Sequence, residues 1–363
     1  MTLEKSNKTK ENYVTNNSIA NNHAINNNNA GGNNLIPSVR DSWFDNIKGL
    51  LIILVVLGHF IEPLRSESQD ITDLYFIIYS FHMPAFVFVS GYFSRRPIGL
   101  LRAVKGLLIP YIIMQIVQVL VFWFIIGEEA EIRLFVPRYT LWFLLTLFFY
   151  KVFHPYLIKV KYIGIISLLC ALLIRVDTDA GSFLSFSRTI FFYPFFLLGY
   201  RFNKEKFLII YKKQSIRVFS ALFLLLYGFA IFRYFHIEKI HYQFLLGRSS
   251  FESLKINNYS GMFLTLLAFA LALITMFSIA MLIPKKCPPL AFLGKRTMSI
   301  YLIHGIVQRY ILEATDTYES IDTMTEKVLL ILGVIILTYI LALKPFDWIS
   351  KKISNLPVHK ILR

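Results

Sequence analysis

Asp45, Lys48 and His59 lie on one apolar stretch that runs Asp45-Asn46-Ile47-Lys48-Gly49, then Leu50–Gly58, then His59. On a helix, the eleven-residue step from Lys48 to His59 turns through about three full turns plus 20°, so both side chains face one way. Asp45 precedes Lys48 by three residues and shares that face. The stripe therefore carries a carboxylate and an ammonium at one end and an imidazole about 16 Å further along the axis. An imidazole can take the proton of a hydroxyl, which is a poor nucleophile until that proton is removed. A lysine at the mouth can hold an anionic donor, and Asp45 can orient it. Plainer readings stand beside these: Lys48 as a lysine snorkelling from a helix end, and His59 as an interfacial histidine.

The element carrying this stripe belongs to an unusually apolar chain. Of 363 residues 56% are apolar, 17% charged and 16% aromatic, with 34 Phe, and the mean hydropathy is +0.56. Soluble domains hold about 45–50% apolar and about 25% charged residues. The composition excludes a disordered chain, a disulfide scaffold and a typical cytosolic enzyme, and predicts an all-α, polytopic transmembrane helix bundle. Ten spans are expected: Asn46–Glu62, Leu74–Ser94, Val104–Ile126, Tyr139–Phe153, Tyr162–Val176, Thr189–Tyr200, Val218–Phe235, Met262–Ile283, Thr297–Leu312 and Val328–Leu343. The fourth, fifth, sixth and ninth are short for a bilayer. The net charge of +16 reads as basic loops on the cytoplasmic side rather than as a nucleic-acid surface, because Lys and Arg gather in alternate loops. Their asymmetry predicts a multi-pass protein of the cell membrane with both termini in the cytoplasm.

Residues 1–42 read as an Asn-rich tail with no hydrophobic period, 43–345 as the membrane domain, and 346–363 as a short basic tail. No stretch outside the spans is long enough to be a separate catalytic domain, so any chemistry belongs inside the bundle or at its mouths. Cys170 and Cys287 offer neither zinc spacing nor a disulfide framework.

The run Trp43–Gly49 through Val55-Val56-Leu57-Gly58-His59 resembles the opening helix of the membrane acyltransferase-3 superfamily, in which a basic residue precedes a histidine by ten intervening positions. Lys48 stands where most members have arginine. Phe81-His82-Met83-Pro84 with Ser90-Gly91-Tyr92, Arg188 with Phe195–Tyr200, and Gly294–His304 resemble its second, sixth and ninth helices. The resemblance covers about Trp43 to Leu343 and is closest to the sugar O-acetylase branch. It implies an integral membrane enzyme that moves acetyl from cytoplasmic acetyl-CoA to a hydroxyl of a cell-surface or lipid-linked polysaccharide. It further implies His59 as the catalytic base and Lys48 as its basic partner, with acetyl-CoA as a donor substrate and no permanently bound cofactor.

Other residues fit this frame in more than one way. His82, ahead of the helix-bending Pro84, can be a second base, a sugar ligand or a hydrogen-bonded core histidine. Ser90-Gly91 can be small-residue helix packing. Arg95 and Arg96 can contact the phosphates of CoA or simply mark the cytoplasmic end of a span. Arg188 can hold the acceptor or a developing oxyanion, or pair with Asp177 or Asp179. Trp142 can stack on a sugar or sit at the interface, and His304 can join a substrate site or an internal network. His154, His236 and His241 show no partner spacing. The competing function is a transporter or flippase of glycan-related substrates without covalent chemistry. Such proteins often carry internal repeats and broken helices at matching positions in two halves, which this sequence lacks.

Overall fold

A computed structural model describes residues 41–127, 131–179, 181, 183–233 and 242–356, the side chains of 125 and 126 excepted. Residues 1–40 of the Asn-rich tail, His236, His241 and the last seven residues lie outside this set, and Ser42, read as the end of that tail, opens the first helix. Every regular element among the described residues is helical.

The first helix, α1 (Ser42–Ile61), begins with Asp45 in its first turn, where a carboxylate complements the helix dipole, and runs on as a 3-10 turn over Glu62–Ser66. Next come α2 (Gln69–Tyr92) and the span Leu100–Phe124. That span, α3, is α-helical over Leu100–Ala103 and Ile109–Val121, with π-helical turns at Val104–Leu108 and Phe122–Ile126. The order continues with α4 (Trp142–Leu157), α5 (Ile163–Leu173), α6 (Phe186–Arg201), α7 (Lys204–Tyr211), α8 (Gln214–Arg233) and a 3-10 turn at Tyr242–Leu246. It ends with α9 (Asn258–Leu282), α10 (Pro288–Gly294), α11 (Thr297–Ala314), α12 (Met324–Leu341) and α13 (Lys344–Ser354).

A helix falls on each of the ten expected spans. Six are long and apolar enough to cross a membrane: Ser42–Ser66, Gln69–Tyr92, Leu100–Phe124, Gln214–Arg233, Asn258–Leu282 and Met324–Leu341. The other four are those expected to be short. Helices α4 and α6 have 16 residues and α5 has 11. Helix α11 reaches 18 but carries Gln308, Arg309 and Glu313. The short helices α7, α10 and α13 were not foreseen, and α13 takes up the start of the segment read as a basic tail.

The core gathers around α1 and α2, whose side chains are largely buried. Helices α8 and α12 instead expose Phe219, Leu225, Phe229, Leu329 and Ile336. A helix apolar on its outer face needs an apolar solvent, so the bundle is that of a membrane protein. Helices α2 and α6 approach closely through a reciprocal pair. A Cβ on Gly91 would run into the Phe196 carbonyl, and one on Gly199 into the Phe88 carbonyl. Gly91 is therefore a packing residue. Helix α10 closes on α1 by the same device, Gly294 lying against the Asp45 carbonyl and Gly49 against that of Leu290.

Candidate active site

Two cavities meet at His59. The inner one, about 260 Å³, runs along α1 past Lys48, Ile52, Val55 and His59, with Ser90 and Phe93 of α2 and Trp142 and Lys151 of α4 on its other walls. The outer one, about 170 Å³, is walled by His59, Glu62, Tyr75, Tyr79, His82, Tyr139, Trp142, Arg188 and Arg248. His59, Met83 and Trp142 line both. Lys48 and His59 thus do share one face, and that face is the wall of a cavity.

Helix α1 fixes the two ends of the stripe differently. Lys48 Nζ lies 2.7 Å from Asp45 Oδ1, an ion pair one helical turn long, and 5.4 Å from the Phe93 ring. Asn46, fully buried beside it, donates to the Pro284 carbonyl at 2.8 Å and ties this end of α1 to the α9–α10 connection. At the other end the Tyr318 hydroxyl donates to the Phe60 carbonyl at 2.9 Å, and burial raises the pKa of that phenol, keeping it a donor. His59 Nδ1 faces Glu62 Oε2 at 3.7 Å across one turn.

His82 is buried on α2, and its Nδ1 lies 2.7 Å from the Ile78 carbonyl. A carbonyl only accepts, so Nδ1 carries the proton and Nε2 keeps the lone pair. His82 lines the outer chamber and stacks edge-on against Tyr79, with ring centroids 4.6 Å apart. His304 has the same tautomer, Nδ1 donating to the Ile300 carbonyl at 3.0 Å. It is fully buried, lines neither cavity, and lies 5.5 Å from His59 between ring centroids, with Nε2 unpartnered. Its contact is therefore with His59 rather than with either cavity.

Arg188, in the first turn of α6, stacks on Trp142 at 4.6 Å. No ion pair among the described residues joins it to Asp177 or Asp179. Arg95 lines neither cavity. Its guanidinium donates to the carbonyls of Tyr200 and Phe202 and lies over Tyr92 at 4.4 Å, capping the end of α6. Arg96 is exposed and also lines neither cavity.

Spacing arguments missed three residues of these walls. Glu62 follows His59 by three positions on the same helical face, a signal the sequence contained. Lys151 falls near the end of the expected span Tyr139–Phe153, with no partner spacing to mark it. It is half-buried, and its Nζ donates to Ser94 Oγ at 2.6 Å on the wall it shares with Lys48. Arg248 carried no signal, because it reaches the outer chamber only through the fold of the 242–256 segment.

Fold and site together define a helical membrane protein whose partly buried histidine, His59, stands between two cavities. The family model described as an acyltransferase domain matches residues 41–343, and the chain belongs to that acyltransferase-3 family. The chain is 30% identical over 205 residues to the nodulation protein NolL of Sinorhizobium fredii (strain NBRC 101917 / NGR234), covering 50% of this chain and 55% of that protein. It is 36% identical over 87 residues to the nodulation protein NolL of Mesorhizobium japonicum (strain LMG 29417 / CECT 9101 / MAFF 303099), 23% of each chain. The chain spans about half the length of the first of these relatives and less of the second. No solved structure matches it.

Proposed function

We propose that the protein is a membrane O-acetyltransferase that takes acetyl from acetyl-CoA on the cytoplasmic side and delivers it to a hydroxyl of a glycan. One observation carries this reading: His59 walls both cavities, so a thioester arriving from one side and an alcohol from the other meet at a single imidazole. CoA is a polyanion on a long, flexible, weakly polar arm. The inner cavity suits such a donor, with ammonium groups at Lys48 and Lys151 and an apolar wall beyond them. The outer chamber, rich in tyrosine, suits a sugar ring.

In the proposed step the acceptor O–H gives its proton to the lone pair of His59 as its oxygen attacks the thioester carbonyl. The carbon–sulfur bond then breaks, and the leaving thiolate takes that proton back from the imidazolium, leaving free thiol and acetyl ester. Glu62, facing Nδ1, would hold the ring proton there and leave Nε2 as the base, the orienting role a carboxylate plays behind many catalytic histidines. Membership of an acyltransferase family favours this chemistry over the transporter reading.

The test is reconstitution in liposomes with acetyl-labelled acetyl-CoA in the lumen or in the bath, and a crude glycan acceptor from the source envelope. Transfer of label to glycan by the native protein and its loss in His59→Ala, with equal protein recovered, is the expected result. Full transfer by His59→Ala removes the base assignment.

A further inference from the structure

The outer chamber carries a charge imbalance that acyl transfer does not use. Arg188 and Arg248 both line it, and no ion pair among the described residues engages either one. Arg188 lies over Trp142, and its Nε is buried without a hydrogen-bond partner. The single carboxylate on the wall among the described residues, Glu62, faces His59 at 3.7 Å and Arg65 at 3.9 Å. A guanidinium stays charged when desolvated, and leaving it without a counter-charge is costly.

The two arginines are also held in place by their neighbours. Ser187, next to Arg188, donates to the carbonyl of Gly247, next to Arg248, at 2.8 Å. Gly247 turns the chain at φ +62°, a conformation glycine adopts without strain. On the far side of Arg248 the carbonyl of Ser249 accepts from Arg175 at 3.2 Å. Arg175 is itself fully buried among Phe191, Phe244 and Phe251, at 5.5, 4.2 and 4.7 Å. The segment bearing Arg248 is thus fastened on both sides, and one of its fastenings joins it directly to the segment bearing Arg188.

We propose that the acceptor is an anionic sugar, whose carboxylate or phosphate is held by Arg188 and Arg248 while a hydroxyl of the same molecule lies at His59. This rests on the acetyltransferase reading and adds the acceptor's charge to it. Planar guanidinium forks match either anion in a bidentate way, and the tyrosines and Trp142 offer flat faces to the ring. Glu62 repels an anion at the His59 end, which sets the direction in which such an acceptor enters.

The test is direct binding to the purified full-length protein in nanodiscs, read by saturation-transfer NMR. The probes are D-glucose, D-glucuronate and D-glucose 6-phosphate, with acetate and inorganic phosphate as sugar-free anions. We expect at least one anionic sugar to bind about tenfold more tightly than glucose, the size of one charge-assisted hydrogen bond. Which one does so separates a carboxylate from a phosphate acceptor. Arg248→Gln, at an exposed position, abolishes the advantage and Arg248→Lys keeps part of it. Equal binding of all three sugars, no binding by any of them, an advantage that survives Arg248→Gln, or a free anion binding as well as the anionic sugar each overturns the proposal. His59→Ala should keep the preference. A preference without transfer would count against the catalytic reading alone, and transfer without a preference against this one alone.

Discussion

At His59 one imidazole borders two enclosures, with Glu62 one turn behind it and Lys48 three turns below. Replacing Glu62 with Gln removes the charge that faces the ring while keeping its shape. We expect kcat to fall about 10–100-fold with little change in KM for either substrate, less than the about 10²–10⁴-fold typical of losing a general base outright. Lys151→Met should do the reverse. It removes a cation from the donor side without touching the imidazole, so KM for acetyl-CoA should rise about tenfold with kcat nearly unchanged. Initial rates measured against each substrate in turn separate the two cases. Asp45, Lys48 and His59 were legible in the sequence because helical periodicity alone puts them on one face. Lys151 was not, because its position on the same wall depends on how α4 packs against α3 and α6, which no local pattern encodes.

The helices are held at their spacing by contacts between backbones. Gly91 and Gly199 let α2 and α6 approach until carbonyls fill the space where Cβ atoms would stand, which keeps His82 and Arg188 on one chamber. Gly91→Val must therefore push two helices apart. We expect a lowered thermal midpoint and reduced recovery from membranes, at or above the about 1–3 kcal/mol usual for overpacking. Gly228→Val on α8, where a Cβ meets nothing within 4 Å, is the matched control and should fold normally. Differential scanning fluorimetry in detergent reads both. Three helices, α4, α5 and α6, are too short to span alone; α6 is placed by such packing, and α4 and α6 carry Trp142 and Arg188. The sequence marked these segments as short. It did not say that short, less apolar helices would wall the cavities, although the two facts are connected. A helix that need not face lipid along its whole length can afford polar groups directed inward.

For the molecule as a whole, the proposed orientation puts the basic loops and the donor mouth on one side. The start of α1 is tied to the α9–α10 connection, Ser42 donating to the Lys285 carbonyl at 3.0 Å and Asn46 to that of Pro284 at 2.8 Å. Cys287 follows directly. With both termini in the cytoplasm, a membrane-impermeant maleimide should label Cys287 in inverted vesicles of the Cys170→Ser variant and not in right-side-out ones. The reverse pattern, read by mass shift on a gel, would invert the topology. The same orientation predicts that acetyl-CoA supports transfer only from the face that exposes Cys287.

Composition, hydropathy and helical periodicity by themselves determined that the chain is a helical membrane bundle and that Asp45, Lys48 and His59 share a stripe, because these are properties of consecutive residues. The motifs of four helices also carried the family. Only the tertiary structure decided that this stripe borders two cavities, that Arg95 caps α6 instead of lining one, and that Lys151, Arg188 and Arg248 converge on the cavity walls. The reason is physical: those residues lie on different elements, and their relative positions follow from glycine-mediated backbone contacts and buried hydrogen bonds between segments far apart in the chain.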